Sequence, residues 1–85
     1  MFPDAVPVVL REKGFRFSFY SEEGREPPHL HVKRGSGELK FWLGDLSVSW
    51  SNEFKPAEIR EILKIARLRR TFLLGRWHEF QRRKY

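Results

Sequence analysis

Two histidines one residue apart, His29 and His31, follow a proline pair in the run Glu26-Pro27-Pro28-His29-Leu30-His31-Val32. On an extended strand alternate side chains share a face, so the two imidazoles stand about 7 Å apart on one side. Three kinds of chemistry use such a pair. As metal ligands, two neutral imidazoles need one or two further donors, and Glu22, Glu23, Glu26 or His78 are the candidates. No metal or other cofactor is expected as the main reading, and a His29/His31 metal site is kept as the weaker alternative. As general acid and base, histidines exchange protons near neutral pH. His29 and His31 could then serve an RNA-directed hydrolase, with Arg16, Lys33 or Lys40 holding a phosphate and Trp42 stacking a base. As part of a binding face, His29 and His31 would join Arg16, Arg25, Lys33, Lys40 and Trp42, a mixture suited to protein or RNA contacts. The histidine-triad pattern of nucleotide hydrolases is excluded, because Lys33 stands where it needs another histidine. Whether the chain is an enzyme stays open.

The elements that must position these residues read as an α+β fold. Val8–Arg11 and Phe15–Tyr20 form a hairpin around Lys13-Gly14, pairing Leu10 with Phe17 and Val8 with Phe19. This puts Val8, Leu10, Phe15, Phe17 and Phe19 on one face and Arg11, Arg16, Ser18 and Tyr20 on the other. Ser21–Glu26 is an acidic loop, and Pro27-Pro28 stiffens the approach to the next strand. His29–Arg34 and Glu38–Leu43 form a second hairpin around Gly35-Ser36-Gly37. Only a loop of two or four residues sorts apolar from polar there, because a one-residue slip flips every side chain. Leu30, Val32, Leu39, Phe41 and Leu43 then face the core. His29, His31, Lys33, Glu38, Lys40 and Trp42 face outward, with His31 across from Trp42. Leu46–Trp50 is a short fifth strand with Leu46, Val48 and Trp50 on one side.

Pro56 and Glu58 suit the first and third positions of a helix, although Lys55 is a poor cap. Apolar residues recur at Ile59, Ile62, Leu63 and Ala66, and again at Phe72, Leu73, Trp77 and Phe80. The stripe breaks at Arg69-Arg70. One helix over 56–83 would be about 40 Å long, too long for such a domain. Two helices, 56–68 and 71–83, are therefore expected, with one bent helix as the alternative. The whole is one domain: a five-stranded, mainly antiparallel sheet over about 8–50, with two C-terminal helices packed on its Phe-rich face. Trp77 is expected in the core.

The 85 residues contain no cysteine, which rules out disulfides and thiolate zinc sites. No signal peptide or membrane span is apparent, so a cytoplasmic protein is expected. The net charge of +6 is uneven. Residues 55–85 hold ten Lys/Arg against three Asp/Glu, while residues 1–54 hold seven against eight. The basic helices are a candidate surface for RNA, DNA or an acidic protein.

The chain resembles a known family in several stretches: Gly14-Phe15-Arg16-Phe17-Ser18-Phe19-Tyr20, Pro27-Pro28-His29-Leu30-His31-Val32, Leu39-Lys40-Phe41-Trp42-Leu43, Glu58-Ile59-Arg60-Glu61-Ile62 and Trp77-His78-Glu79-Phe80. These are similar to the small bacterial proteins catalogued as domain of unknown function 4160, over about Val8 to Phe80. The resemblance implies no named reaction. It implies a second small gene alongside, in an arrangement similar to toxin–antitoxin pairs, and so a small partner protein encoded nearby. His29, His31 and Trp77 match the family pattern. Many relatives carry a further histidine where this chain has Arg25, so the imidazole that position would give a metal site is absent here.

Overall fold

The computed structural model of the chain describes residues 8–20 and 26–84. Five strands, β1 (Val8–Glu12), β2 (Phe15–Ser18), β3 (His29–Arg34), β4 (Gly37–Trp42) and β5 (Val48–Asn52), precede two helices, α1 (Pro56–Leu68) and α2 (Arg70–Lys84). The strands make one antiparallel sheet in the order β1-β2-β3-β4-β5. This is the expected α+β architecture, and its details depart from expectation at the edges.

In the first hairpin Lys13 (φ 54°) and Gly14 (φ 83°) both take positive φ, as a type I′ turn requires. Leu10 pairs with Phe17 as predicted, but Val8 lies opposite Ser18, not Phe19. A bulge between Val8 and Leu10 absorbs one residue and moves Val8 to the polar face, where it is 38% exposed. An edge strand accepts such a bulge readily, because it has no second neighbour whose register would be spoiled.

In the second hairpin the loop is the two residues Gly35-Ser36, and Arg34 pairs with Gly37. The faces sort as expected. The partners sit two residues away from expectation: His31 lies opposite Lys40, and His29 lies opposite Trp42. Gly37 belongs to the strand for a packing reason, since a Cβ there would overlap the Phe54 ring.

The fifth strand begins later than predicted. Leu46 (φ 60°) belongs to the preceding turn, which is closed by the Leu46 N–H to the Trp42 carbonyl at 2.8 Å and the Trp42 N–H to the Ser47 carbonyl at 2.8 Å. A second bulge, between Lys40 and Phe41, leaves Val48 opposite Phe41 and Trp50 opposite Lys40. Val48 and Trp50 therefore face opposite sides of the sheet and not one side.

The core is the Phe-rich face. Phe15, Phe17, Phe19, Leu30, Val32, Leu39, Phe41 and Leu43 are buried there, together with Ile62, Ile65 and Ala66 of α1 and Leu73 and Trp77 of α2. Each large side chain contributes roughly 1.5–3 kcal/mol on burial. Helix α1 starts at Pro56, and the Glu58 carboxylate accepts the Lys55 backbone N–H at 2.7 Å, which compensates for the absent capping hydroxyl. Glu58 also pairs with Arg34 of β3 at 2.9 Å, fixing the helix start to the sheet.

Two helices form, separated at Arg69 (φ −106°, ψ 15°). The arginines that interrupt the apolar stripe bind the sheet there. Arg69 pairs with Glu12 at 3.0 Å, and Arg70 donates to the carbonyls of Leu43 at 3.1 Å and Gly44 at 2.7 Å. The break also resets the helix phase, so Leu73 and Trp77 carry the stripe onward. Phe72, expected in the core, is instead 48% exposed.

Candidate functional site: the polar face of the sheet

The strand register sets the polar face out in rows. Ser18, His31, Lys40 and Trp50 form one row across β2 to β5, and Arg16, Lys33, Glu38 and Asn52 form the next. His29 and Trp42 pair on the other side of the first row. Trp50 joins its row only because of the bulge in the β4–β5 ladder.

His29 is buried, at 1% exposure. Its Nδ1 lies 2.9 Å from the Pro27 carbonyl. A carbonyl can only accept, so Nδ1 carries the proton and the tautomer is fixed. The proline pair thus has a specific use. Pro27 presents its carbonyl to the imidazole, and the Pro28 carbonyl accepts the Leu43 N–H at 2.9 Å, extending the β3–β4 ladder. The His29 ring meets Trp42 at 5.6 Å and Trp77 at 5.3 Å between centroids. Trp77 also packs edge-on against Phe19 at 5.3 Å, so its indole joins the core to the imidazole.

His31 is also buried, at 3% exposure. Tyr20 stacks on it at 3.8 Å and 13°, while Trp50 and His29 each approach at 5.8 Å. Its Nδ1 lies 3.7 Å from the Glu38 carboxylate, which also receives the Tyr20 hydroxyl at 3.4 Å. Lys40 is buried with them. Its Nζ pairs with Glu26 at 2.7 Å and stands 4.7 Å from the Trp42 ring centroid.

The face expected to be open to water is thus packed around its histidines, because Tyr20, Trp42 and Trp50 cover them from the same side. Of the predicted residues, His29, His31, Lys40 and Trp42 come together. Arg16 and Lys33 lie on the adjoining row, Arg16 half-buried and Lys33 exposed. The Lys33 ammonium is held above its ordinary pKa, first by its hydrogen bond to Tyr20. Arg25, Glu22 and Glu23 lie outside the described residues, and His78 is exposed on α2. Among the described residues no three His, Cys, Asp or Glu side chains converge in a way that could hold a metal ion.

Beside the cluster lies an open recess of about 540 Å³, lined by Pro27, Pro28, Trp42, Gly44 and Asp45. The Asp45 Oδ1 accepts both the Ser47 hydroxyl at 2.7 Å and the Ser47 N–H at 3.0 Å. The hydroxyl first, then the amide, holds this carboxyl below its ordinary pKa.

Two members of the cluster, Tyr20 and Trp50, were not among the predicted site residues. Strand alternation already places Tyr20 on the polar face, and that was its signal. Trp50 has none, since no residue type at Ser49 announces the bulge.

Fold and site together define a small α+β domain: an antiparallel meander with helices on one face and an imidazole–aromatic cluster on the other. The chain belongs to the family described as Domain of unknown function (DUF4160), whose model matches residues 14–78, a span that includes every described member of the cluster. Comparison with curated proteins and with solved structures finds no match for this chain. None of the described helices is long and apolar enough to cross a membrane.

Proposed function

We propose that this chain binds a small partner protein through the polar face of its sheet, in an operon pair of the toxin–antitoxin kind. The observation that carries this reading is Trp50. It is 38% exposed on an edge strand, on the polar face of the sheet, in the row next to that of the half-buried Trp42. A large aromatic held at the surface by a rigid, buried base is the kind of residue on which protein interfaces concentrate their binding energy. His29, His31 and Lys40 supply that base: Pro27 holds the His29 ring, Tyr20 stacks on His31, Glu26 pairs with Lys40, and the two imidazoles contact the tryptophans. The family resemblance implies such a neighbour-encoded partner.

RNA-directed hydrolysis by His29 and His31 is the weaker reading. A catalytic acid or base must touch its substrate, and these rings are 1% and 3% exposed. RNA or DNA binding by the basic helices has less charge to draw on than composition suggests, because Arg69 and Arg70 are engaged with the sheet.

The test is to purify the chain with the product of the adjacent gene and measure the affinity of the pair. Trp50→Ser is expected to weaken it by about tenfold or more with the chain still folded and unfolding cooperatively. Unchanged affinity in Trp50→Ser overturns the reading. Cleavage of RNA that His29→Gln and His31→Gln abolish without unfolding the chain would establish the hydrolase instead.

A further inference from the structure

We propose that the recess at Trp42 receives a cationic side chain of the partner protein, arginine in preference to lysine. The inference rests on the reading that a protein docks on this face. The walls are the indole of Trp42 and the rings of Pro27 and Pro28, with Gly44 contributing no side chain. Such walls suit the aliphatic stem and flat head of an arginine. At about 540 Å³ the recess falls within the roughly 300–1,000 Å³ typical of small-ligand sites. It is open, so it would take a side chain presented from outside.

The carboxylate and the indole at the rim together favour a cation. Asp45 is the ionisable residue among those lining the recess, and its two bonds from Ser47 keep it ionised well below neutral pH. Both bonds fall on Oδ1, so Oδ2 is not engaged by them. A carboxylate beside an indole is the pairing that holds a cation by charge and by the ring quadrupole together. Lys40 already shows this indole accepting a cation at 4.7 Å. Its charge is matched by Glu26 at 2.7 Å, so the Lys40–Glu26 pair is neutral overall and does not repel a second cation. Arg70 reaches the same rim, donating to the Gly44 carbonyl at 2.7 Å, so the preference rests on the Asp45 carboxylate and the indole acting together and not on a net negative charge. Guanidinium is favoured over ammonium because it is planar, stacks on aromatic faces and is less strongly hydrated.

The test uses the whole chain labelled with ¹⁵N, reading the three indole N–H signals with Trp42 assigned through Trp42→Phe. The probes are n-butylguanidinium, n-butylammonium, n-butylurea and butyrate. A saturable shift of the Trp42 signal is expected with n-butylguanidinium, a weaker one with n-butylammonium, and none with butyrate. Asp45→Asn is expected to weaken the guanidinium probe by about threefold to fivefold, the worth of a partly exposed ion pair, leaving the Trp50 and Trp77 signals in place. Equal binding of n-butylurea overturns the proposal in favour of a purely apolar slot, and no saturable shift with n-butylguanidinium also overturns it. Partner affinity separates the two levels. If the neighbour-encoded protein binds wild type and Asp45→Asn equally, the recess proposal fails and the docking face stands. If that protein binds neither, the docking reading fails, and the probe titration alone decides the recess.

Discussion

The two faces of the sheet meet the same demand, burial of the central strands, with opposite chemistry. On the helix-covered face Phe17 packs edge-on against Phe41 at 6.3 Å, and nothing there needs a hydrogen bond. On the other face His29, His31 and Lys40 are buried almost as completely, and each polar atom must be answered locally. Pro27 answers His29, and Glu26 answers Lys40. The first arrangement tolerates exchange of one hydrocarbon for another. The second depends on particular partners, because a buried polar group that loses its partner costs about 1–3 kcal/mol. The difference shows where stability is made and where specificity is built.

Several substitutions would break or sharpen that contrast. The largest effect is expected from Phe17→Ala, which should lower stability by about 3–5 kcal/mol, read as a fall in the urea midpoint with an unchanged slope. Gly37→Ala should cost about 1–3 kcal/mol by driving a methyl group into Phe54. Combining it with Phe54→Ala should cost less than the two single changes added together, and strict additivity would remove the steric explanation. On the polar face, His31→Ala loses the Tyr20 and Trp50 contacts and is expected to cost about 1–2 kcal/mol. His31→Phe should recover part of that loss; no recovery would mean that the ring contacts contribute little.

A smaller effect is expected from pH. Glu58 lies below the ordinary glutamate pKa, chiefly because it accepts the Lys55 N–H and also because it pairs with Arg34. A depressed carboxyl stabilises the fold above its unfolded pKa, and that contribution is lost as pH falls through the folded value. Glu58→Gln should therefore show a shallower loss of stability than wild type below about pH 4.3, followed by urea midpoints. The smallest change in stability, about 0.5–1 kcal/mol, is expected for Trp50→Ser, which gives up its contact with His31 and is the variant expected to affect partner binding most.

The central part of this molecule was legible because its alternation is strict. Leu30, Val32, Leu39 and Phe41 could satisfy one face only, and that choice carried His29 and His31 with it. The two-helix division was legible because Arg69-Arg70 cannot continue an apolar stripe. The edges were not legible. Val8 and Trp50 change sides through bulges, which depend on a strand's having one neighbour and leave no mark in residue type. For the same reason strand alternation alone does not show that the polar face is packed around its histidines. Tyr20 and Trp50 could be counted as its cover only once the register was fixed, and Phe72 turned outward through a phase shift that the apolar spacing does not contain.

The meander order has a consequence for the chain as it is made. Each strand pairs with its neighbour in sequence, so the sheet closes only short loops and its hairpins can assemble as they emerge. The helices that shield the phenylalanines emerge from the ribosome after the sheet. The histidine cluster draws all its described contacts except Trp77 from residues 20 to 50. During synthesis the tryptophan-bearing surface is thus laid down before the hydrophobic core is sealed, and a docking partner of the kind proposed would meet that surface on a nascent chain.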